Sequence, residues 1–122
     1  MVCMNSERHH REDLMKTHLF YILMSVAAEP RYGTAIQDDV RSLSDGSVRL
    51  WPATLYGSLE ELVRVGWIEE VGEDDRPEGG SGRERFYRIT GAGRMALETE
   101  SARLDALARL ARARLMPQVL GA

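Results

Sequence analysis

The sequence predicts a mostly α fold with a small β-hairpin: a winged helix-turn-helix carrying a long C-terminal dimerisation helix. Three observations predict it. Residues 50–68 read as an amphipathic helix bounded by Pro52 and Gly66. Two short extended segments follow, separated by a Gly-rich stretch, as a wing would be. A final helical segment runs from Gly91 to Met116, about 26 residues or ~39 Å, too long to be covered by so small a domain.

The chain of 122 residues suffices for one domain. The expected division is a flexible N-terminus over 1–11, a winged helix-turn-helix over 12–90, a dimerisation helix over 91–116 and a tail over 117–122. Helix 1 is expected over 12–28. Its centre, Leu19 to Met24, is apolar all round, so it is buried on more than one side. A second subunit is the expected source of one of those sides. Pro30 disfavours helical geometry at Glu29 and ends this helix. Helix 2 is expected over 34–43, with Ala35, Ile36, Val40 and Leu43 inward. Ser44 to Ser47 reads as a turn, and Val48 to Leu50 as a short extended lead.

Helix 3 carries Leu55, Leu59, Leu62 and Gly66 on one face. Pro52 suits the first turn, where its missing N–H costs nothing, and Gly66 suits the left-handed position past the end. The opposite face holds Ala53, Gly57, Glu60 and Arg64. Tyr56 lies on one flank, Thr54 and Glu61 on the other. Trp67 to Val71 and Glu84 to Ile89 read as strands, the second with Tyr87 and Ile89 on one side, Phe86 and Arg88 on the other. Thr90 caps the last helix, and Pro117 ends it. Its expected stripe is Leu97, Ser101, Leu104, Ala108, Ala111 and Leu115, with Leu107 alongside. Such a stripe needs a partner, a second copy of itself. Its arginine-rich end also fits a membrane surface, but the helix lacks the Trp and Phe of such anchors.

Function classes narrow by what is missing. There is no G-x-S-x-G, H-E-x-x-H, CxxC or phosphate-binding Gly-rich turn. The G-G-S-G at 79–82 lacks a following helix start and the Lys-Ser/Thr of a P-loop. Adjacent His9 and His10 point apart on a helix and make a poor metal pair. His18 reads as the edge of a packed helix. Cys3, alone, supports no disulfide framework and fits a reducing cytoplasm. No run of ~20 apolar residues spans a membrane. No enzyme, cofactor or metal is expected. Residues 29–90 carry eight basic and 13 acidic residues within an overall net charge of −3. That is an acidic setting for nucleic-acid binding, although local placement of the bases decides phosphate contact.

Four segments in order resemble the PadR family of bacterial transcriptional regulators. They are R-Y-G at 31–33, P-A-T-L-Y at 52–56, L-x-x-L-x-x-x-G-W-I ending at Ile68, and R-F-Y-R-I-T-G-A-G-R at 85–94. With the flanking helices the resemblance spans about residues 12–115, and the single short C-terminal helix is similar to that of the family's smaller subgroup. It implies a homodimeric repressor of transcription that binds double-stranded DNA, with a small-molecule effector near the dimer seam. By position it implies DNA contact at Tyr32, Thr54, Tyr56, Arg83, Arg85 and Arg88. The helix-3 geometry adds Ala53 and Gly57, which permit close approach to the groove, and Arg64. The dimer interface is expected at Leu19, Phe20, Leu23, Leu97, Leu104, Leu107, Ala108, Ala111 and Leu115. A small aromatic effector would meet Phe20, Tyr21, Met24 and Trp67. Trp51 and Trp67 otherwise read as packing around helix 3. Two departures stand out. Trp51 occupies the place where members commonly have a capping Ser. The wing carries Glu73, Asp74, Asp75 and Glu78, which repel phosphate unless Arg76 and Arg83 lead. The acidic balance motivates a rival reading, a dimeric winged-helix module that binds protein instead of DNA.

Overall fold

The computed structural model describes residues 14–72 and 85–117. The expectations for Cys3, His9, His10, Arg76, Arg83 and the acidic wing residues lie outside them. In chain order the elements are α1 (Thr17–Ala28), β1 (Arg31–Tyr32), α2 (Gly33–Leu43), α3 (Pro52–Arg64), β2 (Ile68–Glu70), β3 (Phe86–Ile89) and α4 (Gly91–Leu115). None of the described helices is long and apolar enough to cross a membrane.

Helix α1 is the hub. It packs against α2, α4 and β3. That arrangement accounts for much of its apolar character within one chain and takes Leu19 and Leu23 out of the expected dimer seam. Leu19 (5% exposed), Ile22 and Leu23 (both 0%) are spent inside the chain's own core. Its flank at Phe20, Tyr21 and Met24 is half-buried. The helix also starts later than expected, at Thr17, with Lys16 extended before it and no side-chain cap.

The expected two-stranded wing base gains a third strand. Arg31 and Tyr32 pair antiparallel with Tyr87 and Phe86, and the sheet order is β1-β3-β2. Two residues gave no strand periodicity to read, and only the pairing reveals them. Phe86, expected on the face of Arg88, is buried along with Tyr87 and Ile89, and its ring meets that of Tyr32 on the neighbouring strand. On the other side Ile68 faces Ile89, Glu69 faces Arg88 and Glu70 faces Tyr87.

The core joins Leu19, Ile22, Leu23, Val26, Ile36, Val40, Leu50, Leu55, Leu59, Leu62, Ile68, Tyr87 and Ile89. Leu43 is not part of it; it stands exposed at the last residue of α2. The turn after it is closed by Ser44, whose Oγ accepts from Val48 N at 2.9 Å. Asp45 and Gly46 take positive φ there.

Two features clamp β2 to α4. Gly66 takes φ +83 after α3, as its place past a helix end requires. Thr90 Oγ1 donates to Gly66 O at 2.6 Å and accepts from Gly93 N at 3.0 Å. It caps α4 as expected and ties the cap to the α3–β2 turn. Beyond Glu100 the helix leaves the domain. Ser101, expected on the inward stripe, is exposed and bonds back to Leu97 O. The docked face is instead Gly93, Leu97 and Glu100.

Candidate nucleic-acid interface

Helix α3 has one face locked and one face offered. Leu55, Ser58, Leu59 and Leu62 are buried. Ala53, Thr54, Tyr56, Gly57, Glu60 and Arg64 are exposed, so the small residues and their polar neighbours share the outer side. Burial of the leucines sets the rotation of the helix, and rotation decides what is presented. A Cβ added at Gly57 would meet nothing within 4 Å. The glycine therefore makes no room inside the chain; it flattens the outer face, where a partner would approach.

Tyr56 is 54% exposed and leans over the start of α2. A Cβ at Gly33 would stand 3.3 Å from its ring and its hydroxyl. The glycine of the R-Y-G segment therefore seats the tyrosine of the P-A-T-L-Y segment. Neither Tyr56 nor Thr54 hydrogen-bonds through its hydroxyl to another described residue, so both can donate outward. Tyr32 sits one residue before α2, as its N-cap. Its ring meets Phe86 edge-on, centroids 5.2 Å apart and planes at 77°. That contact places the Tyr32 ring beside β3 and close to the start of α2.

The arginines divide into two groups. Arg85 Nε lies 3.7 Å from Glu70 Oε1, and Arg88 Nε donates to Glu69 Oε2 at 2.7 Å. Both wing-base cations are answered by glutamates across the β2–β3 pairing. Burial and the facing Glu70 carboxylate push the Tyr87 phenol up, with Arg85 opposing. Arg64 is exposed at the last turn of α3 and makes no ion pair among the described residues. Arg41 and Arg49, which residue spacing did not single out, are likewise exposed and without an ion pair among the described residues. They line a cleft of about 260 Å³ with Gln37, Asp38, Leu50 and Trp51. Trp51 is 65% exposed, a correction to the reading that it packs around helix 3. It is the N-cap of α3 and offers no side-chain cap hydrogen bond.

The candidate effector residues are not all on the cavity that Trp67 lines. Trp67 lines a space of about 290 Å³ with Leu14, Met15, Lys16, Leu19, Glu61, Leu62 and Val65; Phe20, Tyr21 and Met24 are not on its wall. His18 lies near Lys16 and Glu61; desolvation first, then Lys16, lowers its pKa, with Glu61 opposing. Among the described residues no three His, Cys, Asp or Glu side chains gather as metal ligands. On α4, Leu104, Leu107, Leu110 and Leu115 are exposed at 40, 47, 60 and 81%, while Ala108 is half-buried.

The fold and these segments have relatives. The chain is 30% identical over 88 residues to an uncharacterized protein of Lysinibacillus sphaericus, covering 71% of this chain and 78% of that one. Its fold is similar to a transcriptional regulator from Clostridium thermocellum, with TM-score 0.65, 20% identity, and 80% and 89% of the two chains covered. It is similar too to a PadR family transcription regulator from Clostridium difficile, with TM-score 0.64, 22% identity, and 80% and 97% covered. The model of the transcriptional regulator PadR-like family matches residues 22–99, a span that holds the second half of α1, α2, α3, the sheet and the cap of α4. This chain therefore belongs to the PadR-like family of transcriptional regulators, winged-helix DNA-binding proteins and not enzymes.

Proposed function

We propose that this protein is a homodimeric repressor that binds a roughly palindromic double-stranded operator and is released by a small uncharged or aromatic molecule. The observation that carries the reading is the outer face of α3. It presents Ala53 and Gly57 with hydroxyls on both flanks, while its inner leucines hold it rigid. The major groove admits one helix, and small residues let the backbone come near. Thr54, Tyr56 and Tyr32 donate to flanking phosphates and fix register, while base edges carry the sequence information. The exposed leucines of α4 supply the second half of the proposal: an apolar stripe outside the domain, for which a second copy of α4 is the simplest cover. The effector part rests on the half-buried Phe20, Tyr21 and Met24 on the outer flank of α1 and on the Trp67 cavity.

A gel-shift titration against the DNA upstream of the protein's own gene and its neighbour tests the reading. Salt-sensitive binding of a dimer to one fragment is the expected result. Absence of salt-sensitive binding to every fragment overturns it. The pairing of Arg85 and Arg88 with Glu70 and Glu69 favours the rival, a winged-helix module for a protein partner, and that outcome would bring it forward. A ligand that releases DNA is expected to change tryptophan emission.

A further inference from the structure

We propose that the cleft between α2 and the start of α3 is a second DNA-backbone site, in which Arg41 and Arg49 grip a phosphodiester and Trp51 packs against the adjoining deoxyribose. The inference deepens the DNA-binding reading and rests on it. The wing-base arginines are engaged by Glu69 and Glu70, so phosphate must displace a carboxylate to reach them. Arg41 and Arg49 make no ion pair with a described residue, although Asp38 lines the same cleft. One lies on the last turn of α2, the other in the segment before α3. Asp38 shares the cleft and leaves it with a net charge of +1. Asp39, one residue on, is turned elsewhere, 3.7 Å from Arg31.

The turn is held in place for this. Leu50 is 3% exposed, and its carbonyl accepts a hydrogen bond from Gln37 Nε2, so Arg49 and Trp51 flank an anchored residue. Trp51 then projects at the N-terminal end of α3, beside exposed Pro52, Ala53 and Thr54. A strand following the groove edge past that end meets the indole and the guanidinium groups together. A guanidinium fork matches two phosphate oxygens. The indole N–H donates to a phosphate oxygen, and its ring covers the apolar face of the sugar. The positive end of the α3 dipole adds to the attraction. The cleft thereby supplies positive charge beside the N-terminal end of α3.

The test uses the full chain, the upstream duplex and a random-sequence duplex of equal length. Arg41→Ala and Arg49→Ala should each lower the slope of log affinity against log salt by about one, equally on both duplexes. Asp38→Asn should raise affinity on both, an effect that misfolding cannot mimic. The change of tryptophan emission on adding DNA should disappear in Trp51→Phe. Salt-sensitive wild-type binding with unaltered slopes in both arginine variants and no gain in Asp38→Asn would overturn the cleft and leave the DNA-binding reading standing. No salt-sensitive wild-type binding to either duplex would overturn both.

Discussion

Thr90 and Gly93 show how much one short motif settles. A Cβ added at Gly93 would stand 2.0 Å from Trp67 O and 2.8 Å from Ile89 Cγ1. No side chain fits without moving backbone, and Thr90 N donates to the same Trp67 carbonyl at 3.0 Å. Gly93→Ala should therefore cost about 3 kcal/mol, near the upper end for overpacking. Gly91→Ala, two residues earlier and facing nothing within 4 Å, should stay within about 0.5 kcal/mol. Urea unfolding of the two variants checks this, and equal losses would contradict it. Glu100 is the second residue-scale case. Hydrogen bonds from Arg103 (Nε to Oε1 at 2.8 Å, Nη2 to Oε2) hold its carboxyl below the ordinary value of 4.5, against an opposing desolvation. The folded state thus prefers the ionised form. Its contribution is complete above the unfolded pKa and is lost as pH falls through the lower folded one. The Arg103 side chain is itself 39% exposed, so solvent screening keeps the effect modest. Between neutral pH and acid below the carboxylate range, Glu100→Gln should lose less stability than wild type. Equal losses on acid titration would count against it.

At the scale of the element, α3 works because its two faces are set by separate residues. The leucines choose the rotation, and the outer residues are free to vary in chemistry without moving the helix. Tyr56→Phe should keep the fold and the seat against Gly33, because only the hydroxyl is removed. On the docking proposed above it should weaken binding by roughly tenfold to a hundredfold, the worth of one hydrogen bond to a charged group. The loss should be similar on operator and on random duplex, since phosphates carry no sequence. A loss confined to the operator, or no loss at all, would show that the hydroxyl does not meet the backbone. Helix α4 behaves differently along its length. Its first turns are fastened by Gly93, Leu97 and Glu100. Its last three turns carry leucines that stand exposed among the described residues.

The whole molecule is then a small domain with an arm. A core built on α1 holds the sheet and α3, and the free stripe of α4 extends away from it. Leu104→Glu places a charge in each half of the proposed seam, where leaving it unpaired costs about 3 kcal/mol or more. The dimer dissociation constant should rise by roughly a hundredfold or more. Sedimentation or light scattering at micromolar protein checks it, and a mass equal to that of wild type would sink the seam. A two-fold dimer presents two copies of α3, so protected half-sites should repeat about one helical turn apart or a multiple of it.

Local pattern was enough for the helices and for their ends, the start of α1 excepted. Spacing of Leu55, Leu59 and Leu62 gave the inner face of α3; Pro52, Gly66 and Thr90 gave its bounds and the start of α4, because caps and positive φ depend on neighbours a few residues away. The ordered segments from Arg31 to Arg94 gave the family. Tertiary structure decided the rest, where the cause lies far along the chain. Strand β1 exists through pairing with residues over fifty positions away, and two residues show no period of their own. Leu19 and Leu23 read as seam residues, since periodicity reports that a side chain is apolar and not which surface covers it. Arg85 and Arg88 read as free cations, and the β2–β3 register gives them glutamate partners. Trp51 read as packing, yet burial of Leu50 leaves its neighbour outside. Sequence determines which residues must be hidden or must turn; only the assembled sheet and helices determine which charges and rings are left facing out.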